Sequence, residues 1–347
     1  MHELKGAMIG AGYFAQYQAE AWNRISGIRI TAIVDSVFDK AKTFAQRWGI
    51  PQVYSDAATM LQRERPDFVD IVTRPDSHWN LVSLAAHNGV HVICQKPMAP
   101  DWKEAVSMVE TCSQSGIRLL MHENWRWQPW YREIKRLMVE GSVGKPYHLA
   151  FRMRAGDGLG PEPYKTQPYF REMPRLLIYE MLVHQLDTTR FLCGEIESIF
   201  CQYQRINPVI RGEDSAQIQF LMANGIQGFI DANRINGREP AKVAMGSFRV
   251  EGDRGMVRLT SSGKLFISEN GQEELPHSFP HPELGYKGDS VKAAQEHYRD
   301  CLMSGTPCET EGQEYLKTVA AVEACYRSAS TGQTINPHPL NEASLPG

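Results

Sequence analysis

Short apolar runs alternate with amphipathic helical patterns from Ala7 to Met121, and no other feature constrains the fold of this chain as tightly. Ala7-Met8-Ile9 leads into a helical pattern over 13–25, and 28–34 reads as a strand before a helix over 38–48. Residues 68–72 read as a strand before a helix over 78–88 that stops at Gly89; a strand at 90–94, a helix over 101–115 and a strand at Leu119-Leu120-Met121 complete the series. Apolar runs bounded by turn residues predict the strands, and 3.6-residue periodicity predicts the helices. Helical crossovers impose parallel pairing, so the expected fold class is α/β with a doubly wound parallel sheet. Ligands of such sheets lie beyond the carboxyl ends of the strands, which directs attention to the residues after each strand.

From about Ala150 the texture changes. Ser198-Ile199-Phe200-Cys201-Gln202-Tyr203, Gln217-Ile218-Gln219-Phe220-Leu221-Met222 and Gln227-Gly228-Phe229-Ile230 alternate with period two, separated by turn signals at Ala223-Asn224-Gly225 and Gly252-Asp253-Arg254-Gly255. This pattern predicts a second domain around an open, mostly antiparallel sheet, then helices over 290–303 and 311–330 and a loose, Pro-rich tail from Pro337. At 347 residues the chain exceeds what one core usually supports, so two domains are expected, residues 1–123 and 124–347. An uncovered apolar sheet face in the second would seek a partner, which predicts a homodimer or homotetramer.

Composition removes several function classes. Lys plus Arg (37) against Asp plus Glu (40) gives a net charge of −3, so no global field draws the chain to nucleic acid or an anionic membrane. The first residues lack the pattern of a secretion signal, and no segment has the apolar length to span a bilayer; a cytoplasmic location is expected. Seven cysteines without a C-x-x-C pair read as reduced core thiols, with no metal site expected.

Gly10-Ala11-Gly12-Tyr13-Phe14-Ala15 forms G-x-G-x-x-A at the end of the first strand. Such glycines let backbone N–H groups approach a pyrophosphate, and Ala15 is small enough for close helix packing. Alone the pattern is also that of a plain glycine turn, but Asp35 closes the second strand at the spacing where a carboxylate accepts hydrogen bonds from the adenosine ribose hydroxyls. That carboxylate repels a 2′-phosphate and no arginine follows at Ser36, Val37 or Phe38, so NAD is expected over NADP, although Lys40 is close. Thr73-Arg74-Pro75, His78 and Gln95-Lys96-Pro97 follow later strands and are candidate cofactor contacts; His78 reads equally as a first-turn helix residue.

Lys96 is wedged between a strand and Pro97, a fixed position that suits chemistry. Glu180, His184 and Asp187, spaced by four and three residues, predict one shared helix face. Oxidising a hydroxyl requires loss of its proton while hydride leaves the carbon; an imidazole held by a carboxylate suits that task, and a lysine can bind the oxygen or relay the proton. Which of Lys96 and His184 is the immediate base stays open. The alternative for the helix triplet is a salt-bridged patch.

Gly10-x-Gly12-x-x-Ala15, Cys94-Gln95-Lys96-Pro97 and Glu180-x-x-x-His184-x-x-Asp187 together resemble the glucose-fructose oxidoreductase, inositol dehydrogenase and rhizopine-catabolism family over nearly the whole chain. The resemblance implies an N-terminal Rossmann domain, a C-terminal α/β domain with a large, mostly antiparallel sheet, and oxidation of an aldose or polyol with NAD, closest to the pentose enzymes that include those acting on D-apiose. It aligns Lys96, Glu180 and His184 with the family's catalytic lysine, aspartate and histidine, and leaves Asp187 to orient His184. Two residues depart from it: Gln95 stands where glutamate is common, removing a negative charge beside Lys96, and Glu180 is one methylene longer than the usual aspartate. The family also places an asparagine or arginine near the nicotinamide, which selects Asn124 within His122-Glu123-Asn124-Trp125-Arg126-Trp127.

Arg154, Tyr164, Tyr169 and Arg171 bracket a long loop ahead of the helix triplet and are candidates for substrate contact, Arg154 and Tyr164 first. Trp125, Trp127 and Trp130 suit a sugar ring or simple packing, and Asn233 and Arg234 suit either the pocket or an exposed turn. Two other functions compete, a glycoside hydrolase that oxidises and re-reduces its substrate with retained NAD, and a silent dinucleotide sensor.

Overall fold

The computed structural model describes residues 3–237 and 243–337; the tail expected from Pro337 lies almost wholly outside them. The chain divides into two compact units, 1–127 with 283–319, and 128–282 with 320–347. The partition differs from a single cut after residue 123, because the chain returns to the first unit late in the sequence.

In the first unit six parallel strands, β1 (Leu4–Ile9), β2 (Ile28–Val34), β3 (Gln52–Tyr54), β4 (Phe68–Ile71), β5 (His91–Gln95) and β6 (Leu119–His122), lie in the order β3-β2-β1-β4-β5-β6. The winding direction reverses between β1 and β4, the switch point at which such sheets bind ligands. Strands β4 and β6 are buried at every residue, which is why they read as short, largely apolar runs without an exposed alternate position. Helices α1 (Ala15–Trp22), α2 (Phe38–Trp48), α3 (Ala57–Glu64), α4 (His78–His87) and α5 (Trp102–Gln114) connect them. Asp101 caps α5 by accepting the Glu104 N–H at 2.9 Å, and Asp56 caps α3 by accepting the Thr59 N–H at 2.7 Å, each worth about 1 kcal/mol. Helix α8 (Ser290–Ser304) packs Ala294, Tyr298 and Cys301 into the same core as Met8, Trp22, Ile33 and Phe68.

The second unit holds α6 (Pro129–Val139), β7 (Pro146–Arg154), a π-helical turn (Leu177–Leu182) running into α7 (Val183–Cys193), and strands β8 (Ile196–Gln204), β9 (Ser215–Met222), β10 (Gln227–Asn233), β11 (Ser247–Gly252), β12 (Gly255–Leu259), β13 (Leu265–Glu269) and β14 (Leu275–His277). Their order is β14-β13-β12-β11-β7-β10-β9-β8, antiparallel except for the β7–β10 pair. Leu149, Phe151, Ile218, Phe220, Ile230, Phe248 and Val250 fill one face. The other face carries exposed Gln217, Gln219, Gln227 and Arg249 around Phe229, so it is mixed in character and not the apolar surface expected from the alternation. The last helix, α9 (Gly312–Thr331), begins in the first unit and ends in the second.

Candidate active site

Gly10 has φ +104°, and a Cβ there would lie 2.6 Å from the Val72 carbonyl oxygen, so the turn after β1 accepts only glycine. A Cβ at Gly12 would meet nothing closer than 4.0 Å, which leaves the backbone ahead of α1 open to a ligand. Asp35 folds back on this turn: Oδ2 accepts the Ala11 N–H at 2.9 Å and Oδ1 accepts the Val37 N–H at 3.0 Å. Each oxygen keeps a second acceptor site for a ribose hydroxyl. Lys40 lies 3.4 Å from Asp35 Oδ2 and is half exposed, so part of its charge is committed to that carboxylate. Tyr13 is exposed with its hydroxyl 3.2 Å from that of Tyr17, whereas Phe14 turns inward, edge-on to Tyr286 at 5.3 Å between centroids. Ala15 is fully buried at the start of α1, as close packing requires.

The loops after β4 and β5 are tied together by His78. Its ring is fully buried, with Nδ1 3.0 Å from the Met98 carbonyl oxygen and Nε2 3.2 Å from that of Thr73, and burial lowers its pKa. A neutral ring carries a single N–H, so one of the two carbonyls accepts its hydrogen bond while the other only lies close, and the residue ties the two loops together. The Ser77 hydroxyl donates to Thr73 Oγ1 at 2.7 Å; Arg74 is exposed near Asp76, and Pro75 opens a short 3-10 turn. Asn124 is buried and donates to Ser290 Oγ at 2.8 Å, anchoring the start of α8.

Lys96 is half-buried after β5, with a cis peptide to Pro97. Its backbone N–H donates to Gln95 Oε1 at 2.9 Å, Gln95 Nε2 to Gln18 Oε1 at 3.3 Å, and Gln18 Nε2 to Asp70 Oδ1 at 2.9 Å; Trp22 Nε1 donates to the other Asp70 oxygen at 2.7 Å. Every donor in this chain points toward one carboxylate. Complete burial in β4 pushes the Asp70 carboxyl up to about 7, against the opposing pull of the Trp22 and Gln18 hydrogen bonds.

In the second unit the expected single helix face is divided, because Glu180 belongs to the π-helical turn while His184 and Asp187 stand on α7. Wider turns of this kind recur at functional sites. All three residues are buried, as are Gln185, Thr188, Thr189 and Arg190, an unusual density of polar groups for a buried helix. Glu213 holds the start of the turn: its carboxylate accepts the Leu176 N–H at 3.2 Å, the Ile178 N–H at 2.9 Å and the Tyr326 hydroxyl at 2.6 Å. Gly212 permits this approach, since a Cβ would lie 2.7 Å from the Met173 carbonyl oxygen. Arg154 is spent on β10, where its guanidinium donates to the Asp231 carboxylate and carbonyl oxygen, so it braces the sheet. Tyr164 is buried in the long loop with φ +58°.

The N-terminal family model for the GFO/IDH/MocA oxidoreductases, described as an NAD-binding Rossmann fold, matches residues 4–123, and the family's C-terminal domain model matches 131–258. The chain belongs to the GFO/IDH/MocA oxidoreductase family. It is similar to the D-apiose dehydrogenase of Rhizobium rhizogenes strain K84, 36% identical over 97% of this chain and 98% of that protein, and to that of Paraburkholderia graminis, 34% identical over 99% and 92%. A crystal structure of an oxidoreductase from Agrobacterium radiobacter in complex with NAD+, L-tartaric acid and magnesium superposes with a TM-score of 0.91 at 34% identity, covering 99% of this chain and all of that one. The cofactor of this GFO/IDH/MocA oxidoreductase is NAD, and the Gly10 turn, open Gly12 and Asp35 fit it.

Within the family pattern, Gln95 now has a physical reason. A carboxylate at position 95 would turn an acceptor toward Gln18 Oε1, and flipping Gln18 would turn its oxygen toward Asp70. Sequence reasoning missed Asp70 and Gln18, which read as ordinary strand and helix residues. It also passed over Glu213 and over His122, a buried imidazole whose pKa burial pushes down to about 4. Trp125 and Trp130 are core residues, and all seven cysteines are buried free thiols.

Proposed function

We propose that this oxidoreductase oxidises a sugar, D-apiose being the first candidate, at its anomeric hydroxyl to give a lactone. The observation that carries the reading is the near-full-length similarity to two D-apiose dehydrogenases from different organisms. When bound, NAD accepts the hydride from the substrate carbon. Lys96 and His184 take charge of the hydroxyl proton: one receives it as the C–H bond breaks and later releases it, and the other donates a hydrogen bond to the same oxygen. Asp187, one turn beyond His184, orients the imidazole, and Glu180 binds a substrate hydroxyl. The buried, polar setting of α7 supports these roles, because polar side chains inside a domain are retained where they are hydrogen-bonded or used. A reducing compartment suits seven free thiols, and among the described residues no helix is long and apolar enough to cross a membrane, so the proposed location is the cytosol. A homodimer or homotetramer joined through the open sheet, with Phe229 exposed on it, is proposed for the assembly.

The test is a panel of aldoses, polyols and inositols with NAD and NADP in parallel, following absorbance of the reduced cofactor. NADH should form with D-apiose ahead of other pentoses, and Lys96→Met should lower kcat by about 10²–10⁴-fold while NADH still binds. Native turnover in Lys96→Met would end the mechanism. Release of an aglycone without net NADH would replace the dehydrogenase by a hydrolase that retains its cofactor.

A further inference from the structure

Arg234, at the end of β10, is 3% exposed, and two of its three guanidinium nitrogens grip one carboxylate: Nε lies 3.1 Å from Asp157 Oδ1 and Nη2 lies 2.6 Å from Oδ2. The guanidinium carbon sits 4.2 Å from the Tyr164 ring centroid and 5.0 Å from that of Phe170, two rings that meet each other edge-on, so the cation packs against both members of an aromatic pair. Its third nitrogen, Nη1, is buried and meets no acceptor among the described residues. The Tyr164 hydroxyl is likewise buried without a partner there, although its residue is only 3% exposed and adopts φ +58°. Natural proteins leave few such groups, and a non-glycine residue in the left-handed region persists where its surroundings hold it for a purpose. Gly158 borders the same spot; a Cβ on it would lie 3.0 Å from the Tyr164 hydroxyl oxygen and 3.1 Å from the Arg234 Cβ.

The surrounding charge is acidic. Burial works against the Arg234 cation, yet Asp157 and, more distantly, Glu180 hold its proton more tightly than usual. Tyr164 feels Asp157, Asp214 and Glu213 as well, and its phenol is pushed up to about 12, mainly by burial, so it is a neutral O–H donor. Asp157 and, at longer range, Glu180 act on a guanidinium that is already paired, while Asp157, Asp214 and Glu213 act on the Tyr164 phenol, so a further anion would meet an excess of negative charge.

We propose that Arg234 Nη1 and the Tyr164 hydroxyl donate to one oxygen of a neutral polyol while Glu180 accepts from a neighbouring hydroxyl, a clamp that selects a vicinal diol and rejects sugar acids and sugar phosphates. The proposal rests on the reading of the chain as a sugar dehydrogenase. Arg234 and Tyr164 are specificity-determining residues in this scheme, and Asp157 sets the charge that excludes anions. A merely structural Arg234 would need nothing from the Tyr164 hydroxyl, so the two accounts separate at that atom.

Tyr164→Phe removes a hydroxyl that bonds nothing in the protein. In the full chain with saturating NAD, it should raise KM for the best sugar of the panel by about 10- to 100-fold, with unchanged NADH affinity and unchanged thermal midpoint. The deoxy analogue lacking the clamped hydroxyl should lose a similar factor with the native enzyme and little more with Tyr164→Phe. The phosphorylated or carboxylated form of the same sugar should have kcat/KM lower by about 100-fold, a gap that Asp157→Asn narrows by about tenfold. Native KM in Tyr164→Phe, or full activity on the anionic sugar, would overturn the clamp while leaving the dehydrogenase reading intact. If the native enzyme oxidises no sugar or polyol, the dehydrogenase reading fails and the clamp with it.

Discussion

The turn after β1 and the turn before α7 are built in opposite ways. At Gly10-Ala11-Gly12 the backbone itself is shaped for the ligand: φ +104° at Gly10, open space at Gly12 and one carboxylate, Asp35, folded onto the turn. Around Glu180 the backbone departs from regular α-helix and side chains from distant segments do the shaping, Glu213 from the lead into β9, Tyr326 from α9, Arg234 from β10 and Tyr164 from the loop. A dinucleotide shared by many enzymes can be met by a short, local, backbone-based device. The substrate role proposed for the second region suits a site made of side chains, which can be exchanged one at a time.

The contrast predicts how each region fails. Gly10→Ala should have the largest effect: strain of about 1–3 kcal/mol from the left-handed backbone adds to the collision with Val72, and NADH affinity should fall by about 100-fold or more in a fluorescence titration. An alanine variant that binds NADH normally would break the comparison at its first half. Glu213→Ala leaves two buried N–H groups and the Tyr326 hydroxyl without their acceptor, at about 1–3 kcal/mol for each buried group left unmet. That variant should lower kcat at least tenfold and leave NADH affinity alone; Glu213→Gln, which keeps an acceptor oxygen, should recover part of the loss. Equal damage to NADH binding would show that the turn before α7 is not a separate device.

Asp70 gives the smallest and most diagnostic effect. Its folded value of about 7 stands above the ordinary aspartate value, so the native state binds this proton more tightly than the unfolded chain does. The contribution to stability is fully present below about pH 4 and is lost as pH rises to about 7, on the order of a few kcal/mol. Asp70→Asn should flatten that part of the pH profile, shown by a smaller difference between the thermal midpoints at pH 5 and pH 8. It should also alter the pH dependence of kcat, because the chain of amides from Asp70 ends on the Lys96 N–H. An unchanged profile in both measurements would mean that the network is packing alone.

Several elements were legible because their causes are local. The residues of β2 and α2 carry their own apolar period and coincide with the bounds read from the pattern, and Asp101 announces the start of α5 through its cap. The edge strand Gln52–Tyr54 and helix α3 escaped notice, although Asp56 is an N-cap of the same kind, because three partly exposed residues hold no period long enough to detect. The spacing of Glu180, His184 and Asp187 predicted one helix face, and did not reveal the π-helical turn that separates the first from the others. His78, Asn124 and Arg154 carry suitable chemistry, yet each is committed to a protein partner that lies far from it in sequence or on another strand.

By itself the sequence determined the parallel sheet and the dinucleotide turn, since strand period and glycine spacing act within a few residues, and it offered Lys96 and His184 as the candidate proton-handling pair. Only the tertiary structure decided why position 95 is glutamine, what holds the turn before α7, and that Arg234 is buried against an aromatic pair rather than exposed in a turn. Those outcomes depend on hydrogen-bond partners and burial contributed by segments tens to hundreds of residues away, and no local pattern encodes where such segments come to rest.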